Sequence, residues 1–182
     1  EVIKLEELPA PAHHQLENIL AALTIADRAE VPLEVMRRVL AQFNGLEHRL
    51  EWVRTLNGID FVNASKGTNV GALEKSLSGF DRPVVLILGG QDKGSDFNSL
   101  KNLFKARVKH MVLIGEAKSK IRALLNGSFT YEDADSMQEA VQHATTHARS
   151  GDIVLLSPGC ASFDMFRDFE DRGQQFKNAV HQ

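Results

Sequence analysis

VVLILGGQDKGSDF, residues 84–97, begins with five consecutive aliphatic residues, passes through Gly89-Gly90 and ends in a polar turn before Phe97. A run that is apolar at every position, rather than at alternate ones, marks a strand covered on both faces, as in a parallel sheet. Two more such runs follow, VKHMVLIG (108–115) and DIVLLS (152–157). Between and before them, apolar residues recur at helical spacing: Val70, Leu73, Leu77 and Phe80, then Phe97, Leu100 and Phe104, then Met137, Val141, Ala144 and Ala148. Ser136 with Glu139 is a capping box that opens the last of these helices. The alternation predicts βαβ units, so the expected fold class is α/β, a Rossmann-like, mostly parallel sheet with flanking helices.

Toward the amino terminus, EWVRTL (51–56) and IDFVN (59–63) flank Asn57-Gly58, a two-residue turn signal, so a β-hairpin is expected to lead into the sheet. Before it the periodicity changes. Residues 14–27 place Leu16, Ile19, Leu20 and Leu23 on one helical face, and Pro32 opens a second helix bearing Val35, Val39 and Leu40. This helical hairpin, without strands of its own, reads as the end of a preceding domain. The expected division is 1–44 and 45–182, near Asn44-Gly45. The chain starts with Glu rather than Met, which makes a processed chain or a fragment the expectation.

The 182 residues are 43% hydrophobic with a net charge of −3, ordinary for a globular protein with a normal core. The basic residues are dispersed, so nucleic acid is not an expected partner. No apolar run approaches the ~20 residues that span a bilayer, and the first residues carry no signal-peptide core, so a cytoplasmic protein is expected. The single cysteine, Cys160, has no partner for an intrachain disulfide, which fits a reducing compartment. The seven histidines show no metal-ligand spacing, so no structural metal site is expected.

In an open parallel sheet, ligands bind beyond the carboxyl ends of strands. Ala64-Ser65-Lys66-Gly67-Thr68-Asn69 follows IDFVN and offers a lysine, hydroxyls and helix-start amides to an anion; ordinary helix capping is the competing reading. Gln91-Asp92-Lys93-Gly94 follows VVLILGG, with Lys93 either a point charge for a carboxylate or phosphate or a solvated turn residue. After DIVLLS, Ser162 or Asp164 is the expected N-cap of a last helix, whose solvated face carries Asp164, Asp168, Glu170 and Asp171 and whose other face carries Phe166, Phe169 and Phe176. Arg49 suits a phosphate or an ordinary surface ion pair. Cys160 has no paired histidine nearby, and a packed thiol is the simpler reading than a nucleophile.

Taken together, HHQLENILAALTIAD (13–27), FNGLEHRLEWV (43–53), FVNASKGTNVGA (61–72), LILGGQDKGSDF (86–97) and LLSPGCASFDMFRDFEDRGQQF (155–176) resemble the carboxyl-terminal part of the Mur ligases, and among them the D-glutamate-adding branch. The resemblance spans nearly the whole chain. It implies the last helices of a central ATPase domain over 1–44 and the complete carboxyl-terminal domain over 45–182. It also implies an ATP-dependent amide ligase of bacterial cell-wall synthesis. In that family ATP phosphorylates the carboxylate of UDP-N-acetylmuramoyl-L-alanine, and the D-glutamate amine attacks the acyl phosphate.

Carried over by motif, His14 and Asn18 resemble adenine-side residues, and Arg49 and Lys66 match catalytic residues near the ATP phosphates. Thr68, Lys93, Ser162 and the backbone of Phe169 match D-glutamate-binding groups. ATP and Mg²⁺ are the implied cofactors, Mg²⁺ being held mainly by the central domain, and a monomer is implied. The departures are Gln15 in place of an asparagine and Ala64 where the family has an aspartate on the ATP ribose. A Gly-x-x-Gly-Lys-Thr loop does not occur in these residues. The chain alone is therefore expected to be inactive. Two other readings stand beside this one: a non-catalytic binding module derived from a Mur ligase, and a superfamily ligase for another amino acid.

Overall fold

A computed structural model describes residues 2–9, 15–125 and 127–182. His14 lies outside the described residues. The chain divides into two compact units, Glu1–Leu46 and Glu47–Gln182.

The first unit holds helices α1 (Leu16–Arg28) and α2 (Leu33–Ala41), with Pro32 at the N-cap of α2. Leu8, Ile19 and Leu40 form its small core, backed by Val2, Ile3, Leu23 and Phe43. The helical faces read from the sequence are only partly covered: Leu20 is 63% and Val39 58% exposed, while Met36 is buried. A core built around three buried side chains covers a narrow stripe of each helix, and the flanking leucines and valines of a wider amphipathic face stay outside it.

The second unit is a six-stranded sheet in the order β1-β2-β6-β3-β4-β5. Its strands are β1 (Glu51–Leu56), β2 (Ile59–Asn63), β3 (Val84–Gly89), β4 (Val108–Ile114), β5 (Tyr131–Asp133) and β6 (Ile153–Leu156). β1 and β2 pair antiparallel, and every other pair is parallel. Asn57 (φ 52°) and Gly58 (φ 76°) both take the left-handed conformation that a tight hairpin turn of this hand requires. β3 and β6 are buried at every position, as their continuous apolar runs demand, and β2 is buried throughout as well, with Asp60 and Asn63 hydrogen-bonded to Thr55 and Ser65.

Helices α3 (Val70–Ser78), α4 (Lys101–Arg107), α5 (Lys118–Leu125), α6 (Met137–His147) and α7 (Phe169–His181) complete the unit. Leu73, Leu77, Phe97 and Phe104 fill one face of the sheet; Met137, Val141, Phe166 and Phe176 fill the other. Three features differ from the sequence reading, the first being α5, a helix the sequence reading does not include and whose Ile121 and Leu125 are buried. β5 was not anticipated, because a three-residue edge strand of Tyr-Glu-Asp has no apolar run. The N-cap of α7 is Asp168, whose side chain accepts from Asp171 N, rather than Ser162 or Asp164. Met165 N and Phe166 N donate to Ser162 O and close a separate turn first. Asp164 accepts from Glu116 N at 2.9 Å instead of lying on a solvated helix face. Among the described residues no helix is long and apolar enough to cross a membrane.

Candidate functional site

β2, β6 and β3 are adjacent and parallel, so the loops leaving their carboxyl ends, 64–69, 157–162 and 90–96, emerge side by side. Backbone hydrogen bonds join them. Gly159 N donates to Gly67 O at 3.0 Å, Gly89 N to Pro158 O at 2.9 Å, and Gln91 and Ala161 exchange bonds of 2.9 and 3.1 Å. Gly90 (φ 129°) sits where a Cβ would run into Ala161 O, so the crossing of the second and third loops requires glycine there.

Arg172, on the first turns of α7, is fully buried and ties these loops to the helix. Its Nε donates to Ser65 Oγ (2.9 Å), Nη1 to Cys160 O (3.1 Å) and Ala161 O (3.2 Å), and Nη2 to Ser65 O (2.8 Å). Burial pushes the guanidinium down to about 10, so it is still charged at neutral pH. Ser65 Oγ in turn donates to Phe169 O at 2.8 Å. Behind it, Asn63 Oδ1 accepts from Ser65 N, while Asn63 Nδ2 donates to Glu51 Oε2 and Gly173 O and lies 3.0 Å from His48 Nδ1. Sequence reasoning missed this buried polar frame. Its one sequence signal is the Asp-Arg-Gly inside an otherwise amphipathic helix.

The sequence-predicted residues stand on this frame as follows. Lys66 is exposed, its Nζ 3.7 Å from the centroid of the Phe169 ring, and the His48 ring meets the same phenylalanine edge-on at 6.0 Å. A cation over an aromatic face is held in place without losing its charge to a counter-ion. Thr68, half-buried, donates its N–H to Lys66 O. Phe169 is the first residue of α7, so its amide is among the first-turn N–H groups with no intrahelical partner. Ser162 is buried, next to exposed Phe163, and the Lys93 ammonium lies 5.8 Å from that ring. The neighbouring carboxylate does not neutralise Lys93. The Lys120 ammonium (2.7 Å) and the Ser95 N–H (2.9 Å) hold Asp92 and keep its carboxyl below the usual range.

Among the described residues, Lys66 and Lys93 have no carboxylate partner, whereas Lys109, Lys118, Lys120 and Lys177 hold one within 3.0 Å. Arg49 is exposed. In the first unit Asn18 Nδ2 donates to Gln15 Oε1 at 2.8 Å. Ala64 is buried within the apolar cluster of α3 and α4.

Cys160 is 1% exposed, and burial pushes its thiol up to about 12 from 9.0. It is packing, not a nucleophile. A thiol whose folded value is raised contributes stability that is complete below the unfolded value and is lost as the pH rises toward the folded one. Between about pH 9 and 12 the chain is thus expected to lose about 1.4 kcal/mol per pH unit more than Cys160→Ala does. Denaturant melts of both proteins at pH 8 and pH 10 check this; parallel pH dependence would contradict it. A thiol reagent at pH 8 is expected to label Cys160 only after unfolding.

The family model described as "Mur ligase, glutamate ligase domain" matches residues 48–160. The UDP-N-acetylmuramoylalanine--D-glutamate ligase of Coxiella burnetii is 45% identical over 183 residues, covering 98% of this chain and 41% of that protein. The ligase of the same name from Caldicellulosiruptor bescii is 44% identical over 184 residues, covering 100% of this chain and 40% of its own length. The chain thus spans about two fifths of these curated relatives. Among solved structures, the UDP-N-acetylmuramate-alanine ligase of Thermotoga maritima superposes with a TM-score of 0.67 at 13% identity, covering 96% of this chain and 39% of that one. The bifunctional folylpolyglutamate synthase/dihydrofolate synthase of Yersinia pestis gives 0.64 at 19%, covering 97% and 40%. Those two likenesses establish the fold. The family match over most of the second unit, on a mostly parallel sheet whose carboxyl-end loops carry the expected lysines, makes this chain a member of the Mur ligase family.

Proposed function

We propose that this chain is the carboxyl-terminal part of a cytoplasmic, monomeric ATP-dependent ligase that joins D-glutamate to UDP-N-acetylmuramoyl-L-alanine in peptidoglycan synthesis. The observation that carries the reading is the pair of carboxylate-free ammonium groups, Lys66 and Lys93, on loops that Arg172 fastens together. The relatives at 45% identity, named for D-glutamate ligation, support the choice of amino acid.

D-Glutamate brings two carboxylates and an amine. Lys93 supplies the charge for one carboxylate. Ser162 and the Phe169 amide hold the other, and Thr68 completes the pocket on the β2 side. The amine is left as the nucleophile. Lys66 and Arg49 face the phosphates; His14 and Asn18 serve the adenine. ATP, when bound, supplies the phosphoryl group that turns the substrate carboxylate into an acyl phosphate, whose phosphate the amine displaces. Two cations beside the transferred group stabilise charge that develops only in the transition state.

An exposed, unpaired Lys66 ammonium fits a polyphosphate. Among the described residues no cluster of ligating carboxylates stands beside it, so Mg²⁺ is assigned to the part of the longer enzyme beyond this chain. Residues 1–44 are assigned to the end of the central ATPase domain, and 45–182 to the domain that carries D-glutamate.

The test fuses this chain behind the two preceding domains of a relative and measures phosphate release. Release is expected to require ATP, UDP-N-acetylmuramoyl-L-alanine and D-glutamate together, and the chain alone is expected to give none. A folded fusion that releases phosphate equally with L-glutamate, or not at all with D-glutamate, would overturn the proposal.

A further inference from the structure

At the opposite end of the sheet from the carboxyl-end loops lies a second cluster of ligating groups. His110 is near the start of β4, Glu132 is in β5, and His143 and His147 occupy successive turns at the end of α6. One ligand atom each from His110, Glu132 and His147 lies within 4.8 Å of the others. His147 Nε2 is 3.1 Å from Glu132 Oε1, and His143 Nδ1 is 3.3 Å from Glu132 Oε2. The rings of His110 and His147 stack at 3.7 Å with 12° between planes.

His110 shows that the cluster is unfinished. It is 5% exposed, and its Nε2 is buried with no hydrogen-bond partner. Its tautomer follows from Thr130. That hydroxyl has one proton, which it donates to Lys109 O at 3.2 Å, so toward His110 Nδ1 at 3.1 Å it accepts. With the hydroxyl proton on Lys109 O, Nδ1 carries the hydrogen and Nε2 is left with a buried lone pair that no group among the described residues meets. A neutral imidazole oriented by a second hydrogen bond through its other nitrogen is the arrangement metal-binding histidines adopt.

We propose that His110, Glu132 and His147 bind a divalent transition-metal ion of the zinc class. Two imidazole nitrogens and a carboxylate suit Zn²⁺, Ni²⁺ or Co²⁺, and disfavour Mg²⁺, which takes oxygen ligands. Tetrahedral Zn²⁺ brings its donors to roughly 3.3 Å from one another. The cluster must therefore contract, and the His147 ring must swing out of the stack so that its lone pair converges with that of His110. His147 and Glu132 have side chains 35% and 43% exposed, so both have room to move. His143 is at hand as a fourth ligand. The ion would clamp the short edge strand β5 between β4 and α6, away from the ligation chemistry.

Calorimetric titration of the tag-free 182-residue chain with Zn²⁺ at pH 7.5, alongside His147→Ala and Glu132→Gln, tests the proposal. Circular dichroism of each variant checks its fold. One ion per chain with micromolar affinity is expected, weakened roughly tenfold or more in each variant. Bound Co²⁺ is expected to give the intense visible absorption of a tetrahedral site, and millimolar Mg²⁺ is expected not to displace it. No binding by the wild type would overturn the proposal, as would equal affinity in both folded variants, which would place the ion elsewhere, such as at His13 and His14.

Discussion

Replacing Arg172 with methionine is expected to destabilise the second unit by about 3–5 kcal/mol. The methionine fills much of the same volume but donates nothing, so Ser65 O and Cys160 O lose their donor in a region at most 3% exposed, while Ala161 O keeps only the Gln91 N–H. Each buried acceptor left unsatisfied costs about 1–3 kcal/mol, and the sum over Ser65 O and Cys160 O is tempered because the two share one donor group and relax together. For a unit of this size the melting temperature should fall on the order of 10 °C. Arg172→Lys should recover only part of the loss. A single ammonium keeps the charge but lacks the planar fork that reaches Ser65 and both carbonyls of the 160–161 loop at once. Thermal melts within about 0.5 kcal/mol of the wild type for Arg172→Met would show that the frame does not depend on this residue.

The second large effect concerns turnover rather than stability. Lys93 is exposed and makes no hydrogen bond among the described residues, so Lys93→Ala is expected to leave the melting temperature unchanged. In the fused ligase the same change is expected to lower kcat/KM for D-glutamate roughly 100-fold, about the loss of one charge-assisted contact to a desolvated carboxylate. Lys93→Arg should restore part of it, since the charge returns in a different shape. Initial rates at varied D-glutamate and fixed ATP separate the outcomes: a rise in KM for ATP with D-glutamate untouched would move Lys93 to the nucleotide side.

How much of this was legible in the sequence depends on whether the determinant was local. β3, β4 and β6 announce themselves, because burial on both faces demands an unbroken apolar run. The β1–β2 hairpin announces itself through Asn57-Gly58, and the first turn of α6 through Ser136, whose side chain accepts from Glu139 N. The start of α7 was read six or four residues too early, since Ser162 and Asp164 are good cap residues. What decides against them is remote: Asp164 serves Glu116 N, 48 residues away in sequence.

Arg172 was invisible for the same reason. An arginine in a charged helix reads as solvated, and only the convergence of Ser65, Cys160 and Ala161 from two other loops makes its burial favourable. The histidine cluster likewise joins residues from two strands and a helix, so no spacing rule along the chain finds it. The candidate lysines were legible because a strand end followed by a polar loop is a local signal. That they lack carboxylate partners was not, for it depends on Lys120 drawing Asp92 away from Lys93.

The claim on which the account rests is that the carboxyl-end loops of β2, β3 and β6 hold D-glutamate. Amide chemical-shift mapping of the 182-residue chain with millimolar D-glutamate addresses it directly. The account predicts saturable shifts at Lys93, Gly94, Phe163 and Phe169, reduced by Lys93→Ala and weaker with L-glutamate. Shifts confined to another surface, or none at all while the fused ligase turns over D-glutamate, would contradict it.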